Sequence, residues 1–306
     1  DRVVAKTDPP LISVPVWLVA RLRHAHLFNW LQDLFPEIAR HLGVPGGDGL
    51  PGRLLQGLRN ASLRGAVANV ALGSRMAERL AGWGIPSDRV RIIHNWAVEE
   101  GIRPLPAADN PLRRLWDLEG RFVVGYSGNM GRAHPFGAVI AAAVGLREHP
   151  TIRFLFIGDG NARPGLEAAL GTARVVFKDY QPLELLPRSL TLPDVHLITL
   201  APELEGLILP SKLYGILAAG RPVVFVGDAD GEIARLVREA DCGAVLTVAQ
   251  GPELAATLRT WAADPRAVAR MGANARRLYE TRLNRAASLE AWEALLTGPL
   301  SPGPGG

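Results

Sequence analysis

Only three of the 34 basic residues in this 306-residue chain are lysines, Lys6, Lys178 and Lys212, and the last has the most telling surroundings. It lies in PSKLYGILAAGRPVVFV, residues 210–226. Pro210 and Ser211 mark the start of a short helix, with the Ser211 hydroxyl placed to cap it. Gly220 suits the left-handed turn that ends such a helix. Pro222 then leads into VVFV, an apolar run typical of a buried parallel strand. A helix N-terminus carries unpaired N–H groups and partial positive charge, so a lysine in the first turn is unfavourable unless an anion lies nearby. Lys212 therefore suits a bound phosphate, and the plain alternative is a solvated lysine on an ordinary αβ unit.

Other groups with chemical potential recur at the ends of apolar runs. GYSGNMGRAH, residues 125–134, spaces Gly125, Gly128 and Gly131 after the strand-like FVV. Glycines there let a backbone approach a phosphate and present N–H groups to it. The G-x-x-G-x-x-G spacing is not the dinucleotide fingerprint G-x-G-x-x-G. Arg132 or His134 could add positive charge. In FLFIGDG, Asp159 is placed either to hold a ribose or to shape a turn. Glu203 and Glu205, in APELEGLILPSK, could accept hydrogen bonds from sugar hydroxyls or simply be solvated. Earlier in the chain NWLQDLFPE gathers Asn29, Gln32, Asp33 and Glu37, and IIHNWA ends a strand on Asn95.

What must position these groups is a regular alternation of strands and helices. Strands are expected at 3–6, 26–31, AVANVALG and 90–95, then in RFVVGYS, TIRFLFI, ARVVFKDY, DVHLITL, VVFVGD and AVLTV. Helices are expected at 11–23, 36–42, 52–64, 74–84, 136–148, 162–170, 182–190, 231–240, 252–263 and 266–297. Such alternation implies parallel sheets covered by helices on both faces. The expected fold class is α/β, two Rossmann-like domains facing a cleft, with ligands at the carboxyl ends of the strands. The expected boundaries are a partial first domain at 1–96, a linker at 97–111 and a second domain at 112–275. A helix at 276–297 is placed to return to the first domain, and 298–306 reads as a disordered tail. The chain opens on Asp1 as if within a strand, so a truncated first domain is expected.

Composition narrows the function classes. Hydrophobic residues make up 48% and charged residues 21%, with a net charge of +4, which suits a globular enzyme with an anionic partner. No Cys/His finger spacing or aromatic-studded basic run points to nucleic acid. A single cysteine, Cys242, fits a reducing compartment. Seven histidines without ligand spacing give no expectation of a metal site. The longest apolar stretch, 11–31, is broken by Arg21 and Arg23.

VVGYSGNMGRAH, FLFIGDG, EGLILPSKLYGILAAGRPVV and RIIHNW, in this order, resemble the family 4 glycosyltransferases of the GT-B fold. They are most similar to the bacterial subgroup acting in colanic-acid-type and capsular polysaccharide synthesis. The resemblance implies retaining transfer of a sugar from a nucleotide-diphosphate donor to a lipid-linked or glycan acceptor. It places Gly128, Asn129, Met130, Gly131, Arg132 and Asp159 at the donor, with Pro210, Ser211, Leu213 and Tyr214 opposite them. Lys212 and Glu205 take the catalytic places, and Gln32, Asp33 and Asn95 the acceptor side. No cofactor and no metal are implied. A cytoplasmic location is, with peripheral contact at the inner membrane face. The chain departs from many relatives in having Gly215 where a second glutamate is usual, and Gln32 where a histidine is common. An epimerase of the same fold, a non-catalytic nucleotide-sugar-binding module and an NAD-dependent dehydrogenase using Asp159 are the alternatives.

Overall fold

A computed structural model describes residues 1–43, 49–97 and 101–299. The chain divides into two compact units. The first comprises Asp1–Asn95, Glu203–Leu209 and Arg285–Gly306, and the second Trp96–Pro202 and Pro210–Asn284.

The first unit is built on four parallel strands in the order β1-β2-β3-β4: Arg2–Lys6, His26–Trp30, Ala68–Ala71 and Val90–Ile92. Its two inner strands carry a buried polar pair. Asn29 Nδ2 donates to Asn69 Oδ1 at 2.9 Å, and Asn69 Nδ2 donates to the Leu63 carbonyl at 2.9 Å. A second buried contact ties the helix Glu37–His41 to the helix Gly49–Gly65, where Arg59 Nη2 donates to Glu37 Oε1 at 2.6 Å. The Arg59 guanidinium also lies 4.0 Å from the Trp83 ring centre. Burial lowers the Arg59 pKa, and Glu37 counters that shift. Replacing Glu37 by Gln leaves a buried guanidinium without its counter-charge. We expect a loss of roughly 2–3 kcal/mol in urea unfolding at pH 7, and a loss below about 1 kcal/mol would contradict this account.

The second unit holds six parallel strands in the order β10-β9-β8-β5-β6-β7. They are β5 Phe122–Ser127, β6 Ile152–Ile157, β7 Val175–Lys178, β8 Val195–Thr199, β9 Val223–Val226 and β10 Gly243–Leu246. All residues of VHLIT and VVFV are buried, as a parallel sheet covered on both faces requires. Successive connections run outward from β5 through β6 to β7, then return through β8 to β10. The order reverses between β5 and β8, and loops leaving those two strands diverge there to open a crevice.

Three stretches depart from the expected organisation. The segment Glu203–Leu209, expected on the second domain, belongs to the first unit. Residues 97–111 are not a free linker, although 98–100 lie outside the described residues. Asn110 is buried, and its Oδ1 accepts from the Leu112 amide at 3.0 Å to start a helix at Pro111–Leu115 that was not expected. Its Nδ2 donates to the Arg188 carbonyl at 2.8 Å, and Ile102 is buried too. The stretch 266–297, expected to be mostly helical with a separate helix from 276, is three pieces: Pro265–Leu278, a π-helical turn at Tyr279–Leu283, and Arg285–Thr297. Extended backbone at Asn284 separates the last two, and the first-unit segment begins at Arg285. From residue 300 the expected tail lies outside the described residues.

Candidate functional site

The turns after β5, β6 and β8 meet at the carboxyl end of the second sheet. The turn after β5 runs through Gly128, whose φ of 122° is open to glycine and strained for other residues. Its amides are tied to the neighbouring strand. Gly128 N donates to Ile157 O at 2.9 Å, and Met130 N donates to Asp159 O at 2.7 Å. Among the described residues the Asn129 and Gly131 amides donate to no protein acceptor. Gly158 and Gly160, at φ 126° and 145°, let the two turns touch, since a Cβ on Gly160 would stand 2.5 Å from the Met130 carbonyl oxygen.

Lys212 enters this turn from the helix Lys212–Ala218. Its Nζ is buried, has no hydrogen-bond partner among the described residues, and lies 3.7 Å from the centre of the Tyr126 ring. A Cβ on Gly128 would meet Lys212 Cε at 3.4 Å and Nζ at 3.5 Å, so the missing side chain leaves the lysine its room. Burial lowers the Lys212 pKa to about 7. Desolvation penalises the ammonium, and an anion at Nζ would restore it.

The remaining expected residues divide sharply. Asn129 and Arg132 are exposed at the turn. Met130, Leu213 and Tyr214 are buried, Met130 within the hydrophobic core, so only their backbones could line a ligand. The expected Ser211 cap does not form: Ser211 has helical backbone angles, and its hydroxyl accepts nothing from the first turn. Pro210 is buried beside it. Asp159 shapes its turn, its Oδ1 accepting from the Gly160 amide at 2.8 Å, as the turn reading of FLFIGDG anticipates. His134 adds no positive charge. Its pKa is lowered to about 4, by burial first and by Lys212 second, and its Nδ1 donates to the Thr199 carbonyl at 2.6 Å.

On the first unit, Asn95 Nδ2 donates to Gln32 Oε1 at 2.8 Å, while Gln32 Nε2 is buried without a partner among the described residues. Asp33 is surface-placed, yet its pKa is raised by partial burial and then by Asp8. Glu205 is buried, and its backbone oxygen accepts from Arg79 Nε at 3.1 Å and Nη2 at 2.9 Å. It stands with the first unit, not on the phosphate-type turn. Sequence reasoning missed Tyr126 altogether. Its signal was its place inside GYSGNMG, as the tyrosine between the first two glycines.

No family model matches the chain. Over 250 residues it is 32% identical to the probable glycosyltransferase WbjE of Pseudomonas aeruginosa, covering 79% of this chain and 61% of the relative. Over 246 residues it is 30% identical to the putative colanic acid biosynthesis glycosyl transferase WcaI of Escherichia coli, covering 77% and 60%. Both relatives are glycosyltransferases by name, in line with the resemblance read from the sequence. Its fold is GT-B. Among solved structures it resembles Anabaena HepE in complex with UDP, at a TM-score of 0.77 and 18% identity over 96% of this chain and 79% of that one. It also resembles sucrose-phosphate synthase from Thermosynechococcus elongatus, at a TM-score of 0.74 and 17% identity over 96% and 73%. The chain spans about three fifths of the length of the curated relatives it matches. Among the described residues no cluster of His, Cys, Asp and Glu could hold a metal ion. No helix among them is long and apolar enough to cross a membrane.

Proposed function

We propose that this chain carries the donor-binding machinery of a retaining glycosyltransferase. That enzyme would move a sugar from a nucleotide diphosphate to a lipid-linked or glycan acceptor in bacterial polysaccharide synthesis. The observation that carries the reading is the buried, unpaired Lys212 ammonium beside the glycine turn. An isolated buried cation is costly, and a diphosphate is the anion that would relieve it. As the bond from sugar C1 to the diphosphate oxygen breaks, negative charge grows on that oxygen. Lys212 and the amides of Asn129 and Gly131 would stabilise it, which is electrostatic stabilisation by groups already in place. The acceptor hydroxyl oxygen would form the new bond to C1, and its proton would pass to the departing diphosphate oxygen. Gln32, Asp33 and Asn95 are proposed to meet the acceptor, and the work would take place at the cytosolic membrane face.

The test is a binding panel of UDP-, GDP- and dTDP-sugars, followed by transfer to lipid extract and NMR assignment of the product anomer. At least one nucleotide sugar is expected to bind, and the product is expected to keep the donor's anomeric configuration. Transfer is expected to persist in EDTA, because Lys212 and the turn amides would supply the charge that a metal supplies elsewhere. Failure of every nucleotide sugar to bind would refute the reading. Binding with an inverted product would refute only the retaining step.

A further inference from the structure

We infer that Tyr126 is a positioning residue: its ring is the seat from which Lys212 meets the donor diphosphate, and its hydroxyl fixes the turn whose amides meet the same group. This rests on the donor-binding reading above, and it assigns work to a side chain that neither sequence motif explains.

Three sets of contacts converge on Tyr126, which is only 1% exposed. Its hydroxyl donates to the Asn129 carbonyl at 2.7 Å, pinning the middle of the glycine turn. Its ring face receives the Lys212 ammonium at 3.7 Å. The ring itself is held by neighbouring rings, with Phe136 edge-on at 5.0 Å, His134 edge-on at 6.1 Å and Phe156 at 6.2 Å. Burial first, and Tyr180 second, raise the Tyr126 pKa, so the hydroxyl keeps the proton it donates.

A lysine with a long apolar stem normally carries its charge to water. Here the ammonium stays inside, and the π face of Tyr126 is what it touches. The titratable groups that interact with it are Tyr126 on β5, His134 in the following turn and His196 on β8. Both histidines are lowered to about 4 by burial, so neither competes for the anion as a cation near neutral pH. No neighbouring charge offsets the burial of Lys212. A cation over an aromatic face is held strongly when water is excluded, yet it yields to a doubly charged oxygen group. Tyr126 thus preorganises both halves of the phosphate site with one rigid ring.

With only three lysines, the chain gives a simple test. In protein labelled with 13C-lysine, the Lys212 Hε protons are expected well upfield from the Tyr126 ring current, an assignment checked by Lys212→Met. Lys6 and Lys178 sit farther from their rings, at 5.7 and 5.4 Å from Trp30 and Trp116, and are expected to shift less. Adding UDP, or GDP or dTDP if UDP does not bind, is expected to move the Lys212 signal downfield and leave the other two in place. Tyr126→Phe keeps the ring, so the upfield shift stays while nucleotide affinity falls about three- to tenfold. Tyr126→Leu loses the shift and weakens binding about thirtyfold or more. If that variant fails to fold, the wild-type and Tyr126→Phe spectra still decide the question. Nucleotide binding that leaves the Lys212 signal unmoved, or no upfield shift in the free protein, overturns this inference alone. Absence of binding by all three nucleotides overturns the donor reading and this inference with it.

Discussion

Lys212→Met is expected to cut sugar transfer about a thousandfold or more and, in the same protein, to raise the stability of the nucleotide-free state. The first effect follows from the role proposed for Lys212, stabilising charge on the leaving diphosphate. The second follows from the cost of a buried ammonium with no counter-ion. Burial lowers its pKa to about 7, against 10.5 for a free lysine. Below about pH 7 both the folded and the unfolded chain carry the charge, and the fold bears the whole desolvation cost. Between about 7 and 10.5 the folded protein has shed the proton while the unfolded chain still holds it, so wild-type stability rises through that window. The advantage of methionine is therefore largest at acid pH, on the order of 2 kcal/mol at pH 6, and shrinks toward pH 10. Urea unfolding of both proteins at pH 6 and pH 9.5 checks it. A methionine variant less stable than wild type at pH 6 would show that the ammonium is not paying a burial cost. Donor binding should erase the wild-type penalty, since the diphosphate supplies the missing charge.

The strands and their polarity were legible because each is a short apolar run closed by glycine, proline or a polar cluster. FLFI and VVFV announce buried parallel strands, and the carboxyl ends of those strands carry the glycine turns. Lys212 was legible for a different reason: in a chain so poor in lysine, one in the first turn of a helix opened by Pro210 and Ser211 needed an explanation. What stayed hidden depends on the third dimension. Period and spacing cannot reveal that Tyr126 faces Lys212, because one lies near the end of β5 and the other opens a helix 86 positions later. Nor do they separate Met130, Leu213 and Tyr214, whose side chains point into the core, from Asn129, which points out. The excursion at Glu203–Leu209 is too short to carry a domain signature of its own. The break at Asn284 falls in a sequence with good helix formers on both sides, and a π-helical turn leaves no mark in composition. His134 invited a charge assignment that burial and a carbonyl partner reverse.

Gly158→Ala is expected to disable the site from one strand away, with a loss of about 3–5 kcal/mol in stability and nucleotide binding reduced beyond detection. The residue sits at φ 126°, where an L side chain is strained by roughly 1–3 kcal/mol before any contact is counted. A Cβ there would overlap the carbonyl oxygen of Gly128, and it would come within 3.0 Å of the Gly128 carbonyl carbon. That neighbour is backbone, so it cannot rotate away as a flexible side chain would, and overpacking of this kind costs about a further 1–3 kcal/mol. Relief requires the turn after β5 to move outward, but that turn is held by Gly128 N to Ile157 O and by Met130 N to Asp159 O. Moving it also drags the Asn129 carbonyl off the Tyr126 hydroxyl and shifts the backbone beside Lys212. Gly171→Ala makes the proper control. It too has a positive φ, of 63°, but a Cβ there meets nothing within 4 Å, and it lies away from the turns of the site. The control is expected to cost only about 1 kcal/mol and to bind nucleotide normally. Thermal unfolding and a nucleotide titration of the two variants distinguish the accounts. If Gly158→Ala binds nucleotide as well as the control does, contact between the two glycine turns is not what shapes the phosphate site.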